Sequence, residues 1–142
     1  MPGYELRPMS RIEVVVRELL MTALAGVREL PREEARLVVG GDFGHTAAQD
    51  YYIRVDRVDG RTDRFEGSYI VDVEVFAGNP HVAESRSLDI EALLLGYPHV
   101  VEVEGRSVTI YEVSQNSTPD ELPWEDDEVT RLGATYVFNV KR

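Results

Sequence analysis

An α+β fold, with a mixed, mostly antiparallel β-sheet flanked by two α-helices, is predicted by three features of this sequence. Apolar residues recur at helical spacing near the start, strict alternation marks two later segments, and a well-punctuated helical stretch lies between those segments. At 142 residues the chain has the length of one ordinary domain, expected to span residues 1–142 with residues 1–9 as a flexible arm.

The first helix is the clearest element. In "SRIEVVVRELLMTALAG", Ile12, Val15, Val16, Leu19, Leu20, Ala23 and Leu24 form one apolar stripe. Ser10 and Glu13 stand at capping-box spacing, where hydroxyl and carboxylate satisfy free N–H groups of the first turn. Gly26 supplies a stop signal.

Strands follow. "ARLVVGG" is short, and in "GGDFGH" the residues Gly40, Gly41 and Gly44 read as a turn or mobile loop running to Asp50. "DYYIRVDRV" alternates, and "DGRTDRFEG" supplies turn chemistry with Asp59-Gly60 as its strongest signal. "SYIVDVEVFAG" places Tyr69, Val71, Val73 and Val75 on one face, with Asp72 and Glu74 on the other, toward water or a partner.

"NPHVAESRSLDIEALLLG" reads as the second helix. Asn79 is the N-cap, Pro80 suits the first helical position, Gly96 suits the C-cap, and Ala83, Ile90, Leu93 and Leu94 form the stripe. "HVVEVEGRSVTIYEVSQ" is a strand pair, or one long strand bent at Gly105. At the end, "VTRLGATYVFNVK" alternates Ala134, Tyr136, Phe138 and Val140 against Thr135, Val137 and Asn139.

Charge narrows the function. The chain holds 26 acids against 15 Lys plus Arg, a net of −11. Residues 1–36 carry six Arg and six Glu, so the whole deficit lies in residues 37–142. An acidic body argues against a surface that tracks phosphates, which needs clustered cations. It permits a surface that nucleic acid passes without sticking. There is no cysteine, hence no disulfide framework and no thiolate site. The N-terminal stretch lacks a signal-peptide core, and no apolar run approaches the roughly 20 residues that span a bilayer. A soluble product of the cell interior, without membrane contact, is the expectation.

Chemical motifs are scarce. His45, His81 and His99 sit far apart without partners at metal spacing, so ordinary histidines are expected. "GGDFGH" lacks the Lys-Ser/Thr of a phosphate-binding loop, and the acids of "DRVDGRTDRFE" do not have calcium-loop spacing. Ser85 and Ser87 have no adjacent base. No catalytic, cofactor-binding or metal-binding residue is expected, and no enzyme.

The acidic loop is the exception. Asp120, Glu121, Glu125, Asp126, Asp127 and Glu128 crowd around Trp124, the only tryptophan, in a stretch that also holds Pro119 and Pro123. Two readings stand. Either Trp124 folds back on its own sheet with the acids solvated, or the ring anchors a partner as interface aromatics do. On the second reading Trp124, Glu125, Asp126 and Asp127 belong to a partner-binding surface.

The order of parts over residues 10–142 resembles the tail terminator proteins of long-tailed bacteriophages, of the kind carried by phages of actinobacteria. The resemblance rests on the helix "RIEVVVRELLMTAL", the extended "YYIRVDRVDG", the strand "GSYIVDVEVFAGN", and the helix "HVAESRSLDIEALLLG". It continues through "VTIYEVSQNSTPDELPWEDDEVTRLGATYVFNVKR", a strand, a Pro- and Asp-rich loop and a closing strand. Arg131, Thr135-Tyr136 and Lys141-Arg142 occupy the places where that family carries an Arg, a small-aromatic pair and a basic end. The long "GGDFGHTAAQD" insert and the Ser-rich "AESRS" depart from the pattern.

The resemblance implies a mixed sheet flanked by helices, assembled with itself as a hexameric ring. That ring caps the tail tube protein, ends tail growth, and meets a head-completion or stopper protein at the head–tail junction of a virion built in the host cytoplasm. DNA passes through it without specific binding, and Arg131 joins the candidate interface residues. Three other classes compete. A stopper protein would be mostly β-barrel, against the strong first helix. A DNA-mimicking acidic module would space its acids along one helix or strand face, whereas here they gather in loops. A small enzyme comes last.

Overall fold

The computed structural model describes residues 11–27, 39–40, 51–62, 66–117, 120–122 and 128–141. The elements run α1 (Ile12–Val27), β1 (Val39–Gly40), β2 (Tyr51–Thr62), β3 (Glu66–Ala77), α2 (Pro80–Leu95), β4 (His99–Val103), β5 (Arg106–Gln115), β6 (Asp120–Leu122) and β7 (Thr130–Lys141). The fold is α+β, as the sequence predicts. Ser10, the arm at residues 1–9, residues 41–50 and Trp124 with Glu125, Asp126 and Asp127 lie outside the described residues.

The strands form one sheet in the order β1-β2-β3-β7-β5-β4, with β6 also paired to β7. Every ladder is antiparallel except β1 with β2. The last strand is therefore central. Its whole length pairs with β3, while its other side is shared end to end by β5 and β6.

Alternation decides the faces. Ile53, Val55, Val71, Val73, Val75, Ala134, Tyr136, Phe138 and Val140 point to one side and are buried there. Both helices cover this side. Ile12, Val15, Val16 and Leu20 of α1, and Ala83, Ile90 and Leu94 of α2, join the same core. Helix α2 lies over the middle strands β3, β7 and β5. Helix α1 touches β4 at one edge and β1 and β2 at the other, so the sheet curls around it.

Local signals placed α2 well. Asn79 accepts a hydrogen bond from the His81 amide at 2.8 Å, Pro80 opens the helix, and the Gly96 amide donates to the Leu93 carbonyl at 3.2 Å. Ser87 is buried with the apolar stripe, which is why that stripe looks untidy in sequence. The hydroxyl-bearing residue is small enough to let the helix approach Val73, Val75 and Ala134.

Two expectations are corrected. Asp59-Gly60 is not a turn but a stretch of β2, just after a bulge between Arg57 and Asp59. Gly60 is required by space: a Cβ there would stand 2.3 Å from the buried Tyr69 ring. Gly40, the last described residue of the expected short strand and the first of the expected loop, pairs in β1, where a Cβ would stand 2.1 Å from the Tyr52 hydroxyl. The acidic stretch after Ser117, expected as a loop throughout, contains the short strand β6. Residues 99–115 resolve as a strand pair, turned at Glu104 (φ 52°) and Gly105 (φ 76°). Positive φ at both positions is the tight hairpin turn that matches sheet twist.

Candidate functional site

The face of the sheet away from the helices carries three cross-strand rows. Strand register sets Tyr52, Phe76, Arg131 and Leu122 in one row, and Arg54, Glu74, Gly133 and Asp120 in the next. Asp56, Asp72 and Thr135 form the third.

Glu74 is the centre. It is only 6% exposed, although its strand position suggests a solvated face. Arg54 donates from Nη2 to both carboxylate oxygens at 2.9 Å, and Arg131 donates from Nε to Oε2. Burial works against the charged carboxylate, but the hydrogen bonds and charges of Arg131 and Arg54 outweigh it. Together they hold Glu74 below the usual carboxylate range.

Phe76 lies in the same nest and is fully buried, apart from the helix-side core. The Arg54 and Arg131 guanidiniums stand 5.2 Å and 5.9 Å from its ring centroid. Each guanidinium thus meets the carboxylate, Arg54 through Nη2 and Arg131 through Nε, with an aromatic face beside it, an arrangement that planar guanidinium suits and ammonium does not.

Beside this nest a concavity of about 390 Å³ opens on the sheet face, lined from β3, β7 and β6. Asp72, Glu74, Asp120, Leu122, Arg131 and Thr135 line it. Gly133 makes its floor, because a Cβ there would stand 2.6 Å from Leu122. Thr135 donates from its hydroxyl to Asp72 at 2.7 Å, and its amide donates to the Ser117 hydroxyl at 3.0 Å. The Ser117 bond, with the Asn116 amide donating to the Thr135 carbonyl at 2.7 Å, ties the segment after β5 against the sheet.

Of the residues singled out from sequence, Arg131 lies at this site, while Trp124, Glu125, Asp126 and Asp127 lie outside the described residues. Glu74, Arg54 and Phe76 are additions. Their signal is non-local: only the strand register brings residues 54, 74 and 131 together. Among the described residues no group of acids and histidines is placed to hold a metal ion, and no helix is long and apolar enough to cross a membrane.

Solved structures share this architecture. A chain of the virion of a native gene transfer agent particle superposes with a TM-score of 0.62, at 12% identity, over 92% of this chain and 95% of that one. The likeness is one of fold. A second solved chain matches at a TM-score of 0.54 and 17% identity, over 92% of this chain and 94% of that chain. No protein-family model and no curated protein matches the sequence. The shared fold spans both helices and the sheet, so it includes the strands that build the Glu74 nest.

Proposed function

We propose that this chain is a structural virion protein of the tail terminator type. It assembles with itself as a ring, six copies around, on the end of a phage tail tube. There it stops elongation and presents the surface that a head-completion or stopper protein meets. The observation that carries this reading is the full-length fold likeness to a chain of a gene transfer agent virion.

The chemistry supports the reading. The best-built site is an ion cluster braced on an aromatic ring beside an open concavity, a surface for contact and not for turnover. A net charge of −11 suits a ring around passing duplex, because such a wall forms few phosphate contacts. On this reading Trp124, Glu125, Asp126, Asp127 and Arg131 contribute to contacts between subunits or with the tube. The stopper alternative expects mostly β-barrel, whereas two helices pack on one sheet face here.

Deleting the gene from a phage that carries it tests the function. The account expects filled heads together with unjoined tails of uncontrolled length. Normal, head-bearing tails in the deletion would contradict it.

A further inference from the structure

Helix α2 is apolar on two sides. Ala83, Ser87, Ile90 and Leu94 recur one turn apart and are buried where the helix packs on β3, β7 and β5. Leu88, Ala92 and Leu95 recur in the same way but on the opposite side, turned from the sheet. Leu88 is 55% exposed and Leu95 37%, and Tyr97, just beyond the helix, is 44% exposed. A surface helix ordinarily carries one apolar stripe, with charged and polar residues opposite it. Single exposed leucines need no explanation, but three apolar positions aligned along one outer face mark a contact surface.

Charge decides what kind of contact. Helical spacing sets Glu84 and Glu91 along one side of the outer stripe and Asp89 along the other. Arg86, the only Lys or Arg of α2, lies back toward the sheet, its guanidinium 4.5 Å from the Tyr51 ring centroid. It offsets Asp89 alone, at 3.4 Å. The stripe is thus an apolar strip between acidic margins. Two copies docking stripe to stripe would set acids against acids, and each chain carries a net charge of −11. A partner with basic margins meets neither penalty and is steered in by the same charge.

We propose that the Leu88–Ala92–Leu95 face of α2 docks an apolar segment of a different protein, one flanked by Lys or Arg residues that sit against Glu84, Glu91 and Asp89. The leucines supply the affinity, and the acidic margins select the partner and set its orientation. This surface is independent of the ring, and neither stands or falls with the other.

The test uses the full chain and two helical probe peptides with the same leucine pattern, one carrying lysine and the other glutamate at its polar positions. Calorimetry at physiological salt measures binding, and amide NMR locates it. The lysine peptide should bind and shift the amides of residues 84–97, and the glutamate peptide should not bind. Leu88→Gln with Leu95→Gln should weaken binding tenfold or more and leave the melting temperature unchanged, because both side chains are exposed and Gln keeps helix propensity. Glu84→Gln with Asp89→Asn should weaken it less and flatten its salt dependence. Equal binding of the two peptides overturns the assigned partner chemistry, as does failure of the lysine peptide to bind. Binding that ignores the leucine changes, or that shifts amides elsewhere, overturns the site, since charge attraction alone then accounts for it. Sedimentation showing that the chain alone self-associates, and that the leucine changes abolish this, makes a second copy the occupant and overturns the proposal as well.

Discussion

Arg131 of β7 reaches across to Glu74 of β3, 57 residues away in the chain, and shares its carboxylate with Arg54 of β2. Three neighbouring strands are thereby pinned at one level on the face that the helices leave uncovered. The pin also orders Phe76, which has no place in the helix-side core yet is fully buried.

Glu74→Gln should be strongly destabilising. The amide keeps the shape but removes the buried negative charge that Arg54 and Arg131 share, and removing one partner of a buried pair costs about 3–5 kcal/mol. Because Arg54 and Arg131 remain about a fifth exposed, a loss of about 2–3 kcal/mol is expected. Asp89→Asn is the control. Its pair with Arg86 spans 3.4 Å with Asp89 54% exposed, so its loss should stay within about 0.5 kcal/mol. Urea denaturation of the two variants checks both.

The same carboxylate dictates an acid dependence. Glu74 has a folded pKa below the ordinary glutamate value of 4.5, so its stabilisation is complete above that value. It is lost as pH falls below 4.5 and through the lowered folded value. Stability measured across that window should fall more steeply for the natural chain than for Glu74→Gln. At the alkaline end the sign reverses for Tyr136, whose phenol is pushed up to about 12 by burial and by the Glu91 charge. Its contribution is present below 10 and disappears as pH rises from 10 toward 12, and Tyr136→Phe should flatten that limb.

Two glycines should respond differently to the same replacement. Gly60→Asn forces a Cβ into the Tyr69 ring, with an overpacking loss of about 1–3 kcal/mol. Gly105 has φ 76° and open space around its Cα, so Gly105→Asn should cost only a few tenths of a kcal/mol, Asn tolerating the left-handed region. Melting temperatures of the pair separate a steric requirement from a conformational one.

Trp124→Ala follows from the interface reading of the acidic loop. It should leave the melting temperature of isolated monomer nearly unchanged while weakening assembly by about 2 kcal/mol, a thirtyfold loss per contact. Neutralising Asp126 and Asp127 should be milder and should show mainly in salt dependence. A large fall in monomer stability with assembly intact would instead make Trp124 a core residue.

What was legible in the sequence was what local rules govern. The stripe of α1, the Asn79-Pro80 start of α2 and the alternation of β3 and β7 each depend on neighbours in the chain. What was not legible depends on register. Asp59-Gly60 looks like a turn because the reason for Gly60 is a tyrosine on the adjacent strand. Glu74 looks solvated because its two arginines sit 20 and 57 residues away. The short strand β6 hides in a run of acids because only pairing with residues 131–133 makes it a strand. Arg131 was singled out from the family pattern, and the register then supplied its partners, Glu74 and Phe76.

The central claim is a place in a particle, and a particle reconstruction addresses it most directly. The account predicts six copies of this chain in a ring at the head end of the tail tube, with acidic residues facing the DNA channel. A single copy, a dodecamer, or a position away from the head–tail junction would contradict it.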